Sequence, residues 1–150
     1  MIVRAKKEDA LAVAGLAVQM WEDNVPEELA AELSEMIDSD DGTIYVAKEN
    51  EQIVGFAQCQ LRHDYVEGTK SSPVGYLEGI FVKEEHRKKG IAKELLRACE
   101  NWALEKGCQE FASDCELENQ TSLKFHMSVG FEEANRVICF AKKLGKSNND

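Results

Sequence analysis

Apolar residues recur along the chain at two different spacings, and the spacing changes several times. Where they repeat every three or four positions, the pattern predicts a helix with one buried face. Helices of this kind are predicted at residues 7–21, 90–106 and 119–129, with one more beginning near Pro26. Asn24 is the predicted N-cap of that helix. Its buried stripe is predicted to be Leu29, Leu33, Met36 and Ile37.

Shorter apolar runs lie between these helices and favour β-strands. Strands are predicted at residues 2–5, 43–47, 53–61, 74–82, 111–115 and 136–143. The polar segment 48–52 separates two of them by a short turn, so we expect an antiparallel β-hairpin there. The alternation of helices and strands, without an internal repeat, predicts one α/β domain over residues 1–150 that contains a mixed sheet.

Composition agrees with a single globular domain and adds a strong negative charge. The 150 residues include 18 Lys and Arg against 28 Asp and Glu, which gives a net charge of −10. This charge argues against nucleic acid and anionic membrane surfaces as partners and suits a cationic small substrate. Acidity that serves only solubility is an open alternative. Because the chain has no apolar run long enough to span a bilayer and no signal-peptide pattern, the predicted location is the cytoplasm.

The cysteines follow no pattern of metal ligands or paired disulfides. They are Cys59, Cys99, Cys108, Cys115 and Cys139. Their number is odd and they are widely scattered, so we expect reduced and mostly buried thiols and no metal site. A reactive thiol is the alternative. Disorder is expected only at residues 145–150, which are small and polar.

A basic turn joins the predicted strand at 74–82 to the helix that follows. It ends in Gly90 and carries Arg87, Lys88 and Lys89 in an otherwise acidic chain. Free backbone N–H groups and the positive end of the helix dipole bind phosphate at such a position, and a glycine lets the backbone approach closely. The turn is therefore a candidate anion site, and a solvated basic turn is the alternative.

Two separated blocks resemble the GNAT superfamily of N-acetyltransferases. The family signature R/Q-x-x-G-x-G/A, which holds the pyrophosphate of coenzyme A, is matched by Arg87-Lys88-Lys89-Gly90-Ile91-Ala92. A helix of the family is matched by Asn119-x-x-Ser122-x-x-x-His126-x-x-x-Gly130-Phe131. The resemblance implies the GNAT fold, in which a mostly antiparallel sheet of six to seven strands is flanked by four helices.

The same resemblance implies acetyl-coenzyme A as the cosubstrate, no metal, and a homodimer with residues 136–143 as a contact. The family strand that offers backbone N–H groups to the acetyl carbonyl and to pantetheine is similar to Leu77-Glu78-Gly79-Ile80-Phe81-Val82. Residues implied to contact the coenzyme are Ile80, Val82, Arg87, Lys88, Lys89, Gly90, Ile91, Ala92 and Asn119.

The second block departs from the family pattern at His126, where a tyrosine often protonates the leaving thiolate. Histidine titrates near neutral pH, so an imidazolium can donate that proton. A histidine that only packs or forms hydrogen bonds is the alternative. Asn119 would contact the coenzyme, although a role as helix N-cap also explains an asparagine there.

Several strings also resemble one group of aminoglycoside 6'-N-acetyltransferases, which confer antibiotic resistance. They are Arg62-His63-Asp64-Tyr65-Val66-Glu67-Gly68, Ser71-Ser72-Pro73-Val74, Leu77-Glu78-Gly79-Ile80-Phe81-Val82 and Ala112-Ser113-Asp114. The first lies in the polar segment 62–73, which is too long for a tight turn and is a candidate binding loop. Because such loops differ widely among acetyltransferases, this likeness indicates the substrate class.

An aminoglycoside carries several ammonium groups and many hydroxyls, which require carboxylates in the site. The implied substrate-binding residues are Trp21, Asp64, Tyr65, Glu67, Glu78 and Asp114. The two aromatic residues among them would flank sugar rings, and a place in the core is the alternative for Trp21. For Asp114 the alternative is an exposed carboxylate at the end of a strand. Glu78 is also the candidate base in a direct transfer within a ternary complex, acting itself or through water, with solvent as the alternative proton acceptor.

Two other functions stay open at this point. A GNAT enzyme that acetylates a polyamine or a protein amine would suit the acidic charge equally well. A non-catalytic module that only binds acyl-coenzyme A would explain the missing tyrosine at His126.

Overall fold

The computed structural model describes residues 1–145. Its strands are β1 (Ile2–Arg4), β2 (Gly42–Glu49), β3 (Gln52–Arg62), β4 (Val74–Val82) and β5 (Phe111–Ser113). Its helices are α1 (Ala10–Ala17), α2 (Pro26–Ile37), α3 (Ile91–Glu105) and α4 (Gln120–Ser128), with short 3₁₀ turns at Lys7–Asp9 and Glu84–His86. The predicted order of helices and strands is confirmed as far as α4.

The strands form one mixed sheet in the order β1-β2-β3-β4-β5. Neighbours from β1 to β4 pair antiparallel, and the predicted hairpin is β2–β3. β4 and β5 are parallel because α3 carries the chain back along the sheet between them. The predicted count of six to seven strands is therefore wrong for the described residues, which form five.

The strand predicted at 136–143 is absent from the described structure, in which residues 131–144 form neither helix nor strand. Val137, Ile138 and Phe140 are 70%, 81% and 90% exposed. Apolar residues that are adjacent in sequence point to both faces of a strand, so this strand would need cover on both faces and a paired edge. In the described chain this segment pairs with no strand and its apolar side chains are uncovered. Of the predicted disorder at 145–150, all but Gly145 lies outside the described residues.

Two predicted helix boundaries differ from the structure. The helix predicted at 7–21 is shorter, because the N–H groups of Gln19 and Met20 bond to carbonyls three residues back and so end α1. The N-cap of α2 is Val25 and not Asn24, whose Nδ2 donates to the carbonyl of Trp21 at 3.2 Å. The chain therefore turns sharply between α1 and α2.

The two faces of the sheet are covered by different helices. α1 and α2 cover one face, where Val13 and Leu33 pack with Phe56. α3 covers the other, where Leu95 and Trp102 are buried. In the predicted stripe of α2, Leu29 and Leu33 are buried and Met36 and Ile37 are half-buried. Across residues 1–145, no helix is both long and apolar enough to cross a membrane.

The five cysteines are free thiols, and three of them belong to the core. Cys59, Cys99 and Cys108 are buried, whereas Cys115 and Cys139 are exposed. Cys59 and Cys99 face each other between the sheet and α3, and this contact together with burial raises the pKa of the Cys99 thiol. The predicted buried role is confirmed for these three positions.

β4 departs from regular pairing at Glu78. Leu77 and Gly79 pair with adjacent residues of β3, so Glu78 between them is the extra residue of a β-bulge. β5 is shorter than predicted, and its pairing with β4 ends at Leu77 and Ser113. From Glu78 onward, one edge of β4 has no partner strand in the described part of the chain. Because β5 ends at Ser113, the edge of β4 beyond Leu77 borders a cleft in the sheet.

Candidate active site

The start of α3 presents uncapped N–H groups to open space. Gly90 is the N-cap residue with φ 84° and ψ 7°, and no side chain caps the first turn. A Cβ built on Gly90 would meet no atom within 4 Å. Lys88 also has a positive φ, 66°, which costs a residue with a side chain on the order of 1 kcal/mol. This strained turn and its open N–H groups form an anion cradle, which fits a diphosphate.

A cavity of about 390 Å³ lies in front of the anion cradle. The predicted coenzyme contacts that line it are Val82, Arg87, Lys88, Gly90, Ile91 and Ala92. α4 closes the cavity with the apolar side chains of Phe125 and Val129, for which the sequence carried no signal. The cavity thus joins a polar end at α3 to an apolar wall at α4.

The other predicted coenzyme contacts lie outside the cavity lining. Ile80 lies in the part of β4 beyond Leu77, where it pairs with Ala57 of β3 and β5 no longer adjoins the strand, and Lys89 is exposed in the turn. Asn119 is the N-cap of α4, where its Oδ1 accepts a hydrogen bond from the N–H of Ser122 at 3.0 Å. The structure therefore gives Asn119 a capping role, the alternative that the sequence left open.

Arg87 is held against β4. Its Nε donates to the carbonyl of Val82 at 2.7 Å, and its guanidinium lies 5.3 Å from the centre of the Phe81 ring. One nitrogen is committed to the strand, so Arg87 adds its charge to the turn at a fixed position. Lys88 and Lys89 are the exposed basic side chains beside it.

A second group of charged side chains gathers at the bulge of β4. Arg62 donates to both carboxylate oxygens of Glu78, at 3.0 Å from Nη2 and at 3.2 Å from Nε to Oε2. The guanidinium carbon of Arg62 lies 3.4 Å from the centre of the Tyr76 ring. The Tyr76 hydroxyl donates to the carboxylate of Asp114. We call Arg62, Tyr76, Glu78 and Asp114 the carboxylate network.

Burial sets the ionisation of the carboxylate network. Desolvation raises the pKa of Glu78, Arg62 opposes this by its hydrogen bonds and charge, and Asp114 adds to the rise. Desolvation also raises the pKa of Tyr76, and the hydrogen bond to Asp114 raises it further. The Tyr76 hydroxyl therefore stays protonated as a donor, while Glu78 holds a proton more readily than an ordinary glutamate. The Tyr76 hydroxyl is therefore suited to orient a carboxylate, and Glu78 is suited to exchange a proton.

The loop at 62–73 is fastened beside this network by Glu110. Its carboxylate accepts hydrogen bonds from the N–H groups of Lys70 at 2.8 Å and Ser71 at 2.9 Å. The Ser71 hydroxyl and these N–H groups lower the pKa of Glu110. A single glutamate before a strand has no sequence signature, so sequence analysis missed it.

The predicted substrate residues of the loop lie on an exposed rim. Tyr65 is 76% exposed, and its hydroxyl donates to Glu67 at 3.3 Å. The other oxygen of Glu67 accepts from Nδ2 of Asn135 at 2.9 Å. Asp64 is exposed as well. These three residues lie outside the carboxylate network, whereas Glu78 and Asp114 are brought together within it.

Trp21 lies between the core and the bulge. Its ring packs edge-on against Phe56 with centroids 6.3 Å apart. A Cβ on Gly79 would come within 2.6 Å of the Trp21 ring, so only glycine leaves room there. Trp21 therefore packs against the core and also covers Gly79, the residue after Glu78.

His126 is held by two oxygens at the end of β5. Its Nδ1 lies 2.7 Å from the carbonyl of Ser122, and its Nε2 lies 2.8 Å from the hydroxyl of Ser113. The ring also packs against Phe131 with centroids 5.0 Å apart. His126 thus lies beside the last paired residue of β5, and its Nε2 is in contact with the hydroxyl of that residue.

An anion cradle at one end of an unpaired strand edge and a carboxylate network at the other are the parts of an acyl-coenzyme A dependent N-acetyltransferase. Residues 11–131 match the acetyltransferase (GNAT) family. The chain belongs to this family, as the two sequence blocks predicted.

Relatives and solved structures agree over most of the chain. The aminoglycoside N(6')-acetyltransferase type 1 of Salmonella typhimurium is 42% identical over 129 residues, 86% of this chain and 89% of the relative. The enzyme of that name from Serratia marcescens is 38% identical over 146 residues, 97% of this chain and 100% of the relative. The aminoglycoside N-acetyltransferase AAC(6')-Iy in complex with CoA superposes with a TM-score of 0.92 at 39% identity, over 96% of this chain and 95% of that one.

Proposed function

We propose that this chain acetylates the 6'-amine of aminoglycosides with acetyl-coenzyme A, by direct transfer in a ternary complex. The observation that carries this proposal is the position of the carboxylate network. It adjoins one end of the unpaired edge of β4, and the other end of that edge leads into the anion cradle. The names of the relatives support the aminoglycoside as the amine. No covalent enzyme intermediate is needed, because the amine itself attacks the acetyl carbonyl.

The anion cradle binds the pyrophosphate of the coenzyme in this proposal. The N–H groups of Ile91 and Ala92 and the charges of Lys88 and Lys89 supply the donors. The missing Cβ of Gly90 leaves the space that the phosphates need. The backbone of Ile80 and Val82 then lines the path of the pantetheine arm along β4.

The acidic side chains receive the cationic substrate. Asp114 is exposed at the end of β5 and already accepts one hydrogen bond from Tyr76, which leaves its remaining lone pairs for an ammonium group. Asp64 and Glu67 on the rim attract further ammonium groups of the substrate. Tyr65 lies exposed beside them. Together with Trp21, it flanks the sugar rings of the substrate.

Glu78 accepts the proton that the amine loses. Its raised pKa brings it closer to neutral pH than an ordinary glutamate, which favours reversible proton exchange. Arg62 fixes both of its oxygens, so Glu78 acts through the lone pairs that the guanidinium leaves free, either directly or through a water. Backbone N–H groups near Ile80 stabilise the oxyanion, and His126 supplies the proton for the leaving thiolate.

The exposed tail favours a homodimer. Val137, Ile138, Phe140 and Leu144 are all at least 70% exposed in a segment without secondary structure. Apolar side chains in such a run are buried when a second copy of the chain covers them. β5 is the edge strand of the sheet and offers a place for that contact.

An acetylation assay on a panel of amines tests the substrate. Purified protein is given acetyl-coenzyme A with kanamycin, spermidine or a lysine peptide, and thiol release and product mass are measured. We expect acetyl transfer to kanamycin with the highest kcat/KM. Transfer to spermidine or the peptide but to no aminoglycoside would overturn the substrate class, and coenzyme binding without any turnover would indicate the non-catalytic module.

A further inference from the structure

A serine outside the predicted site stands beside His126 at the end of β5. The Ser113 hydroxyl lies 2.8 Å from Nε2 of His126 and 3.5 Å from the carbonyl of Leu77 on β4. Leu77 and Ser113 are the last paired residues of β4 and β5. The hydroxyl is therefore located where β5 ends and the cleft beside the unpaired edge of β4 begins.

The hydrogen-bond partners of His126 determine which nitrogen carries the proton. The carbonyl of Ser122 can only accept a hydrogen bond, so Nδ1 at 2.7 Å must donate. In the neutral imidazole, Nε2 then has a lone pair and accepts from the Ser113 hydroxyl. In the imidazolium, Nε2 donates to Ser113, and the serine hydroxyl turns to donate elsewhere. Ser113 is the partner whose hydrogen bond reverses between the two forms.

The unpaired edge of β4 leads from the anion cradle to this serine. Leu77 and Val82 are five residue steps apart along the strand, about 16 Å at the usual rise. Val82 lines the cavity in front of α3, and Leu77 lies at the mouth of the cleft. A coenzyme whose pyrophosphate lies at α3 and whose extended arm follows this edge would bring its thioester to the end of β5.

We propose that Ser113 relays a proton from His126 to the departing thiolate of coenzyme A. The Nε2–H bond of His126 breaks as a new O–H bond forms on Ser113, and the original O–H bond of Ser113 breaks as the S–H bond of coenzyme A forms. His126 is left neutral and takes its next proton from solvent. This inference rests on the proposed acetyl transfer, and it makes Ser113 a catalytic residue together with His126.

The groups packed against the His126 ring are uncharged. The groups in contact with the ring are Ser122 and Phe125 on α4, Ser113 on β5, and Phe131 after α4. All four are uncharged, and within the described chain His126 takes part in no ion pair. The charged residues adjacent in sequence to these four groups are Lys124 on α4, Asp114 after β5 and the exposed Glu132, and Asp114 is bonded to Tyr76.

The test compares variants that remove one hydroxyl each. Ser113→Ala removes the relay, and we expect kcat to fall about 100-fold, the lower end of the range for a proton-transfer group, with the KM for acetyl-coenzyme A unchanged. Ser122→Ala is the matched control, since it removes a hydroxyl 3.4 Å from the same ring but keeps the carbonyl that holds Nδ1. Ser113→Thr keeps a hydroxyl and should retain the wild-type rate. Ser113→Val has the shape of that threonine without the hydroxyl and should be as slow as Ser113→Ala.

The pH profile and the imidazole itself provide independent readouts. The limb of the kcat profile that reports His126 should vanish in Ser113→Ala and His126→Gln and persist in Ser122→Ala and Ser113→Thr. In ¹⁵N spectra of the protein without coenzyme, Ser113→Ala should shift the Nε2 resonance of His126, while Ser122→Ala should not.

Two results would overturn the relay. One is a Ser113→Ala or Ser113→Val variant that keeps the wild-type kcat and pH profile. The other is an Nε2 resonance of His126 whose chemical shift is the same in Ser113→Ala as in the wild type. A wild-type protein that acetylates no amine would instead defeat the proposed function on which the relay rests. The two failures are therefore distinguishable in the same set of assays.

Discussion

The two ends of the site are built from different parts of the chain. The anion cradle consists mainly of backbone: the first N–H groups of α3 and the positive φ of Lys88 and Gly90. The carboxylate network consists of side chains that come from β3, β4 and the residue after β5. The first depends on conformation at a few neighbouring residues, and the second on strand register across the sheet.

This difference determines how each end responds to substitution. A backbone site tolerates changes of side chain but fails when the turn can no longer adopt its conformation. A side-chain site keeps its fold when one member is removed but loses a specific charge or hydrogen bond. Substitutions at the two ends should therefore separate effects on acetyl-coenzyme A from effects on the amine.

The largest expected effect follows removal of Asp114. Asp114→Ala removes the exposed carboxylate and the acceptor of Tyr76, so kcat/KM for an aminoglycoside should fall roughly 10- to 200-fold, the range of a charge-assisted hydrogen bond. The KM for acetyl-coenzyme A should stay near wild type. Glu116→Ala is the control, because it removes the same charge from an exposed position two residues away. Equal losses in both variants would show that only net charge matters.

A smaller effect is expected from Gly90→Ala in the anion cradle. The Cβ would enter the open space in front of the α3 N–H groups. The KM for acetyl-coenzyme A should therefore rise about tenfold, which corresponds to the loss of roughly one strong hydrogen bond. Gly107→Ala is a matched control, since Gly107 follows the other end of α3, has φ 90° and would also meet no atom within 4 Å. Both variants carry the same backbone strain. If Gly107→Ala raised the KM equally, the effect would come from strain and not from the site.

Arg62→Met tests the electrostatics of the carboxylate network. Arg62 lowers the pKa of Glu78 against the desolvation that raises it, so its removal should raise that pKa further. A base must be deprotonated to act, and the acidic limb of the kcat/KM profile should therefore move to higher pH. Arg4→Met on β1 removes an equal charge at the opposite edge of the sheet. A limb that stays in place in Arg62→Met, or moves equally in Arg4→Met, would exclude Glu78 as the base.

The smallest expected effects concern strain in two turns. Lys88→Gly and Glu51→Gly each replace a residue of positive φ, 66° and 70°. Each should raise the free energy of unfolding by about 0.5–1 kcal/mol in urea titrations, after the entropy cost of glycine is included. Lys88→Gly should also weaken coenzyme binding because it removes a charge from the cradle, whereas Glu51→Gly should leave activity unchanged. A lower free energy of unfolding in both variants would contradict the interpretation that Lys88 and Glu51 are strained.

Structural features that depend on residues close together in the chain could be predicted from the sequence. The helices and most strands follow from local apolar spacing, and the cradle follows from a basic turn that ends in Gly90 before a helix. Glu78 and Asp114 were also predicted, since their strings resemble a known group of enzymes.

Features that depend on distant residues could not be predicted. Arg62 and Tyr76 join the network only because β3 and β4 pair in one register, with the bulge at Glu78. Ser113 meets His126 only because β5 ends against α4. The strand predicted at 136–143 is wrong for the same kind of reason, because an apolar pattern does not by itself provide a pairing partner, and this segment pairs with no strand in the described chain.

The central claim is acetyl transfer to one particular amine, and a matched pair of substrates tests it most directly. Neomycin and paromomycin differ only at the 6' position, which carries an amine in the first and a hydroxyl in the second. Initial rates of thiol release with acetyl-coenzyme A should be high with neomycin and near background with paromomycin, and the neomycin product should carry one acetyl group at the 6' nitrogen. Equal rates with both compounds, or acetylation of neither, would contradict the proposed function.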